Sequence, residues 1–495
     1  MIRRFVTFGC WNNLNTKIKK DKGTGKIKEK SLGDLKKTMK RLGTFLQEQN
    51  YSRNDAVIIS GDNYYPSKKK KGVEPNEVKF KEIFHERLVN GFDLLIQATA
   101  PRDVPVHMIF GNHDLETNSG KTARKQTLFF GNVDEGQDGT DLSKFSNAQL
   151  RQRLIDEGRL EGDCAILNIE ENHFSQNIRL FNSIYMEDNT LIIMLDTSMY
   201  EIDSKAYLHC YKTFFRQFGR HLYIPLDFDI SSANIHQIQE YQQRCIQLAI
   251  ERAIRRGNIR NLVVIGHHPI VNVKTKNETA FITTDIPAFK SVLVNMIQQI
   301  ANPTERQINV TYLCADLHLF QCGDIYIENE ASVNHPFLIK QFIVGSGGTE
   351  LDDPIPADNK VKFLNRPHIF DKSEYSSYTL RYETPSNGFA EYKIIDGSTH
   401  VVSFIPTDKD LPSPDFITTD FLPTRNTFFL SQVNANNPSS FGKTTRRLAT
   451  IRQEPSSLSR SSSTFSDTDY GQGIRRHKKP RRSHKKPRKS HKKRY

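Results

Sequence analysis

At 495 residues the chain is long enough for one large core with appendages or for two to three average domains, and length alone does not choose between them. Its formal net charge of +14 is unevenly placed: thirteen lysines and arginines and no acid fall between Arg475 and Tyr495, which leaves about +1 for everything before them. A uniformly basic protein is excluded, and since no run of eighteen apolar residues occurs, so is an obvious membrane-spanning helix.

The start Met1-Ile2-Arg3-Arg4 leads into an apolar run too short for a secretory h-region. Cys10, Cys164, Cys210, Cys245, Cys314 and Cys322 have no framework spacing, and Cys10, Cys164 and Cys314 lie in or beside apolar runs. Reduced thiols are expected, in a soluble intracellular protein of the cytoplasm or nucleus that has no membrane partner.

Apolar runs of strand length follow in order: Phe5 to Phe8, Ala56 to Ile59, Val106 to Phe110, Leu191 to Leu195, Leu262 to Ile265 and Val310 to Cys314. Continuous apolar strands imply burial on both faces. Between them, Leu35, Met39, Leu42, Phe45 and Leu46, and later Ile235, Ile238, Tyr241, Cys245, Leu248 and Ala249, recur at helical spacing. From Phe337 to Phe404 the pattern is strand-like, with Tyr378 to Tyr382 and Ala390 to Ile395 alternating, so a second sheet is expected to close the domain there. The expected organisation is an α/β domain over 1–405, a Ser/Pro-rich and largely disordered linker over 406–474, and a basic repeat tail over 475–495.

Five of the strands end in residues able to hold a metal. They lead into Gly9-Cys10, Ser60-Gly61-Asp62-Asn63-Tyr64-Tyr65, Gly111-Asn112-His113-Asp114, Gly266-His267-His268-Pro269 and Ala315-Asp316-Leu317-His318. In an open α/β sheet such strand ends share one edge, so distant residues converge. One carboxylate with two oxygens, Asp62, suits a position between two cations, although a strand-end aspartate also caps turns. Tyr65 offers a phenolate, Asn112 a carbonyl oxygen, and His113 an imidazole able to protonate a leaving oxygen, with Asp114 placed to orient that ring. His267 and His268, being adjacent, are expected on different sides, so that one binds metal and the other lines the mouth. Asp316 and His318 could each face a different metal.

These blocks resemble the calcineurin-like metallophosphoesterases, most closely the purple acid phosphatase branch, and the likeness extends over roughly residues 1 to 405. The resemblance implies a four-layer αββα sandwich and a centre of two divalent or mixed-valence ions drawn from Fe, Zn or Mn. It places Asp62 between them, Tyr65 and His318 on the first, Asn112 and His267 on the second, His113 at the leaving group, and Asn63 and His268 toward a phosphate-ester substrate. The implied reaction is hydrolysis by metal-activated hydroxide.

Two blocks depart from that pattern. Cys10 stands where the family has its first-strand aspartate, and Asp316 stands where it has the first histidine of Gly-His-x-His. A thiolate at Cys10 favours zinc over harder ions, whereas a neutral thiol leaves that position one ligand short.

Lysines at Lys17 to Lys30 and Lys68 to Lys71 are expected to rim the catalytic edge and attract polyanions. The tail, through Arg475, Arg476, Lys478, Lys479, Arg481, Arg482, Lys485 and Lys486, reads equally as a nucleic-acid tether or a nuclear-import signal. Two functions follow: a metal-dependent phosphoesterase, or a catalytically degenerate phosphoesterase fold that binds or packages nucleic acid through its tail.

Overall fold

The computed structural model describes residues 1–12, 17–20, 27–30, 33–63, 65, 90–115, 178–186, 188–202, 204–218, 222–257, 259–301, 308–327, 337–371, 376–395 and 398–419. These all belong to the first of two compact units, Met1–Gln432, so Lys68 to Lys71 and the basic tail lie outside the described residues.

In chain order the strands are β1 (Phe5–Phe8), β2 (Lys17–Lys20), β3 (Ile27–Lys30), β4 (Ala56–Ile59), β5 (Val106–Ile109), β6 (Ile178–Arg179), β7 (Phe181–Tyr185), β8 (Thr190–Leu195) and β9 (Asn261–Ile265). They continue with β10 (Asn272–Lys276), β11 (Thr279–Thr283), β12 (Asn309–Cys314), β13 (Phe320–Ile327), β14 (Phe337–Val344), β15 (Pro367–Asp371), β16 (Ser376–Thr384), β17 (Gly388–Ile395), β18 (Thr399–Pro406) and β19 (Asp415–Ile417).

One seven-stranded sheet runs β19-β18-β17-β1-β4-β5-β6, and an eight-stranded sheet runs β15-β16-β13-β14-β12-β9-β8-β7. In the first, β1, β4, β5 and β6 are parallel. In the second, β8, β9, β12 and β14 are parallel. β1, β4, β8 and β9 are buried along their whole length, which is why they read as unbroken apolar runs rather than alternating ones.

Helix Gly33–Glu48 buries Leu35, Met39, Leu42 and Leu46, packs beside helix Asn90–Thr99, and sets Phe45 5.3 Å from Phe389 of β17. Burying one such leucine contributes roughly 1.5–3 kcal/mol. Helix Ile235–Arg256 starts at a capping box between Asn234 and Gln237 and, together with helix Phe289–Ala301, covers the other sheet. Phe320 and Phe404 stack at 4.3 Å between the two sheets. The result is a sandwich of two mixed sheets flanked by helices.

Three expectations are revised. The strands after Phe337 do not form a sheet of their own: β14 to β16 extend the second sheet, whereas β17 and β18 join the first, with Phe5 opposite Tyr392. The fully buried β1 would otherwise be an exposed edge. Strand pairing also continues past Ile405, since Val401 to Ser403 pair with β19. Lastly, Cys10, Cys245, Cys314 and Cys322 are free and buried, but Cys210 is disulfide-bonded, against the expectation of reduced thiols throughout. Cys164 lies outside the described residues. Among the described residues no helix is long and apolar enough to cross a membrane.

Candidate metal centre

The carboxyl ends of β1, β4 and β5 meet those of β9 and β12 at the seam between the sheets. The approach is close enough to require glycine at Gly61, whose φ is +93°: a Cβ there would lie 2.6 Å from His267 Nδ1 and 2.7 Å from the Gly111 nitrogen. Just beyond three of these strands Cys10, Asp62 and Asp316 adopt left-handed backbone, with φ of 51°, 55° and 60°. Conformations of this kind cost about 1–3 kcal/mol each and persist where the surrounding structure holds them, often at functional sites.

Asp62 is buried, and its two oxygens have different neighbours. Oδ1 accepts the His113 backbone N–H at 3.2 Å and lies 3.2 Å from His267 Nε2; Oδ2 accepts the Cys10 thiol at 3.7 Å. His267 Nδ1 donates to the Ser60 carbonyl at 2.7 Å, so Nε2 is the nitrogen turned toward Asp62. Burial pushes the Asp62 carboxyl up, but the His267 and His113 imidazoles outweigh it and hold the group well below the usual carboxylate range. Burial pushes His267 down, yet Asp62 and then Asp316 raise it to about 10.

Asp316 lies with Oδ1 4.0 Å from His267 Nε2 and Oδ2 3.6 Å from Lys274 Nζ. Against the effect of burial, His268, Lys274 and His267 hold its carboxyl below the ordinary value. His318 Nδ1 donates to the Glu350 carbonyl at 3.0 Å, so the Tyr65 hydroxyl donates to Nε2 at 3.2 Å. The His113 ring sits 4.6 Å from the Tyr65 ring, and Asn112 Oδ1 accepts the His113 N–H at 3.0 Å.

Among the described residues, two groups have ligand atoms within 4.8 Å of one another: Cys10, Asp62 and His267, and His267, His268 and Asp316. This is where metals fit. The Asp62 carboxylate and the buried His267 Nε2 face each other, and their lone pairs require either a shared proton or a cation. The donor set of thiol, carboxylates and imidazoles suits a transition metal.

His267 and His268 were expected on opposite sides, but their ring centres are 4.7 Å apart and both belong to the group around Asp316. Alternation is a property of strands, and both residues follow the end of β9. Nor does His268 line an open mouth, being only 2% exposed. Thr197 Oγ1 accepts the backbone N–H groups of both histidines, so its own proton goes to His268 Nδ1 at 2.9 Å. That leaves the His268 Nε2 proton facing Glu201 Oε1 at 2.5 Å. His268 is thus bonded to Thr197 through Nδ1, with Nε2 close against Glu201.

Asn63, expected to face substrate, is instead scaffold. Its Oδ1 accepts from Trp11 Nε1 at 3.3 Å, and its amide donates to the Ile109 carbonyl and to Asp114 Oδ2, both at 2.9 Å. Asp114 Oδ2 also accepts the Gly111 N–H at 2.9 Å, closing the first turn of helix Asn112–Leu115. Burial, then Asp62, raises the Asp114 carboxyl to about 7. Asp114→Ala is expected to cost about 1–3 kcal/mol by stranding two buried donors, whereas Asp114→Asn keeps an acceptor and most of that stability. Equal urea midpoints for the two variants would contradict this role.

Thr197, Glu201 and Lys274 were not singled out from the sequence. Asp196-Thr197 at the end of the run Leu191 to Leu195 was a visible signal of the same kind as the others. Glu201 and Lys274 carried none.

The family profile described as calcineurin-like phosphoesterase matches residues 28–281, just over half of the chain. The chain belongs to that family. The match contains Gly61 to Tyr65, Gly111 to Asp114 and Gly266 to Pro269, while Cys10, Asp316 and His318 lie outside it. A purple acid phosphatase from yellow lupin (Lupinus luteus) seeds is similar over 84% of this chain and 53% of its own, at 12% identity and a TM-score of 0.41. The chain thus spans about half the length of that protein. PhoD is similar over 88% of this chain and 76% of its own, at 10% identity and a TM-score of 0.42. No curated protein matches the chain.

Proposed function

We propose that the chain is a metal-dependent phosphoesterase that hydrolyses a phosphate ester at a dinuclear centre. One observation carries the reading: the buried Asp62 turns one oxygen toward Cys10 and the other toward His267, as a carboxylate shared between two cations must. In this reading Cys10, Tyr65 and His318 complete one position, and Asn112, His267 and Asp316 the other. Bound metals would neutralise phosphoryl charge and lower the pKa of water.

The protein's own groups supply the rest. Backbone N–H to Oδ1 bonding fixes His113 against Asp62, and the half-buried His113 ring is placed to protonate the departing oxygen. Ser60 and Glu350 carbonyls orient His267 and His318 so that Nε2 of each faces the site. Lys274 balances the charge of Asp316, and Asp114 and Asn63 lock the turn that carries Asn112 and His113.

The test is turnover of p-nitrophenyl phosphate by the full chain supplied with zinc, manganese or iron. Activity should vanish with chelator and return with metal. Chelator-insensitive turnover, or none with any metal, would reject the enzyme and favour a degenerate fold acting through its tail. The basic run Arg475 to Tyr495 supports a tether for nucleic acid or another polyanion. Deleting it should leave turnover intact and abolish salt-sensitive retention on nucleic acid.

A further inference from the structure

We infer that Cys10 is a thiolate ligand and makes the position beside Asp62 Oδ2 selective for zinc-type ions over magnesium or manganese; the inference rests on the dinuclear reading above. The Cys10 sulfur, an Asp62 oxygen and a His267 nitrogen lie within 4.8 Å of one another. Cys10 also packs against Tyr65, whose hydroxyl meets His318 Nε2 at 3.2 Å, so the thiol, the phenol and the imidazole assigned to this position lie together.

A buried cysteine is most often a small hydrophobe, and Cys10 does touch Tyr65 and Ala315. Its backbone argues for more. Asparagine, aspartate and histidine are the residues enriched at positive φ, yet Cys10 is held at 51° by its N–H to the Gly61 carbonyl at 3.2 Å. The conformation sets the sulfur against the Asp62 carboxylate, which is no place for a group that only fills space. Cys245 differs: it lies in helix Ile235–Arg256, facing the core.

Binding forms one sulfur–metal bond, and the thiol proton leaves to solvent with no change of oxidation state. Thiolate with imidazole and carboxylate suits zinc, cobalt and cadmium, whereas magnesium and manganese prefer oxygen. On the other side Asp316 and Asn112 offer oxygen beside the His267 imidazole, so sulfur enters at the Cys10 position alone and the two positions differ in softness.

Metal-free full-length protein should therefore be titrated with cobalt(II) and followed by absorption. An intense near-ultraviolet thiolate-to-cobalt band is expected alongside the visible d–d bands. Cys10→Ser should lose the first and keep the second, and Cys245→Ser should keep both. In competition, Cys10→Asp should lower the zinc-to-manganese occupancy ratio by at least the roughly 10–100-fold that even outer partners of a ligand are worth.

Visible bands without the near-ultraviolet band in the wild type would overturn the inference while leaving the dinuclear centre standing. So would a band that survives Cys10→Ser. Should Cys10→Ser not fold, the wild-type spectrum still gives the answer, with Cys10→Ala as the second variant. If wild type takes up no cobalt and matches Asp62→Asn, the inference and the centre fall together.

Discussion

Replacing Asp62 by asparagine is expected to reduce kcat/KM for a phosphate monoester by at least about 10²–10³-fold, the scale of losing one group that meets the charge of the reacting centre. Asparagine keeps the size but removes the negative charge and one acceptor oxygen. Whichever way the amide turns, its NH₂ meets either the Cys10 sulfur or His267 Nε2, and occupies an atom the proposed centre needs. The fold itself should survive at lower stability, because the buried His267 loses its charged partner. Metal content measured beside activity separates the causes: both should fall together while the circular dichroism spectrum of the metal-free protein stays native, with a lowered melting temperature. Retention of a tenth or more of wild-type activity would remove Asp62 from the reaction.

What could be read from the sequence was whatever depends on neighbours along the chain. The runs Phe5 to Phe8 and Ala56 to Ile59 coincide with β1 and β4 because strands buried on both faces leave no polar alternation to blur their ends. Likewise, parallel pairing of β1 with β4 and of β9 with β12 carries their terminal residues to one edge, so the motifs mark the seam in advance.

Partners distant in sequence were not legible. Phe5 opposite Tyr392 depends on which edge of the first sheet stays uncovered, a property of the assembled layers. Asn63 sits inside a motif, and only the positions of Trp11, Ile109 and Asp114 show that its amide is fully used. Glu201 and Lys274 reach the site through tertiary contacts that no local pattern announces. Cys210 shows the same limit, since spacing alone gave no reason to expect it bonded.

Without metal, the protein is expected to lose stability as pH rises from about 6.5 to about 10, and added zinc should remove that loss. In the metal-free state the space between Asp62 and His267 holds a proton, with His267 raised from 6.5 to about 10 chiefly by Asp62 against the effect of burial. A folded pKa above the unfolded one means the native state binds more protons in that window. The stabilisation is therefore complete below about 6.5 and gone above about 10. Asp62 works in the opposite direction: its depressed carboxyl stabilises above its unfolded value of 3.8, and that contribution is lost as the pH falls toward the depressed value. The alkaline loss should be on the order of a few kcal/mol, since each pKa unit is worth about 1.4 kcal/mol and the two groups share one interaction. Zinc takes the proton's place, so uptake near pH 7 should release it, and the heat of binding should vary with the ionisation enthalpy of the buffer. Urea midpoints of the chelator-treated protein across this range, with and without zinc, give the measurement. A metal-free midpoint that stays level across the range would show that no such proton is held between Asp62 and His267. Asp62→Asn should flatten the alkaline slope, because the carboxylate that raises His267 is gone while the imidazole remains buried.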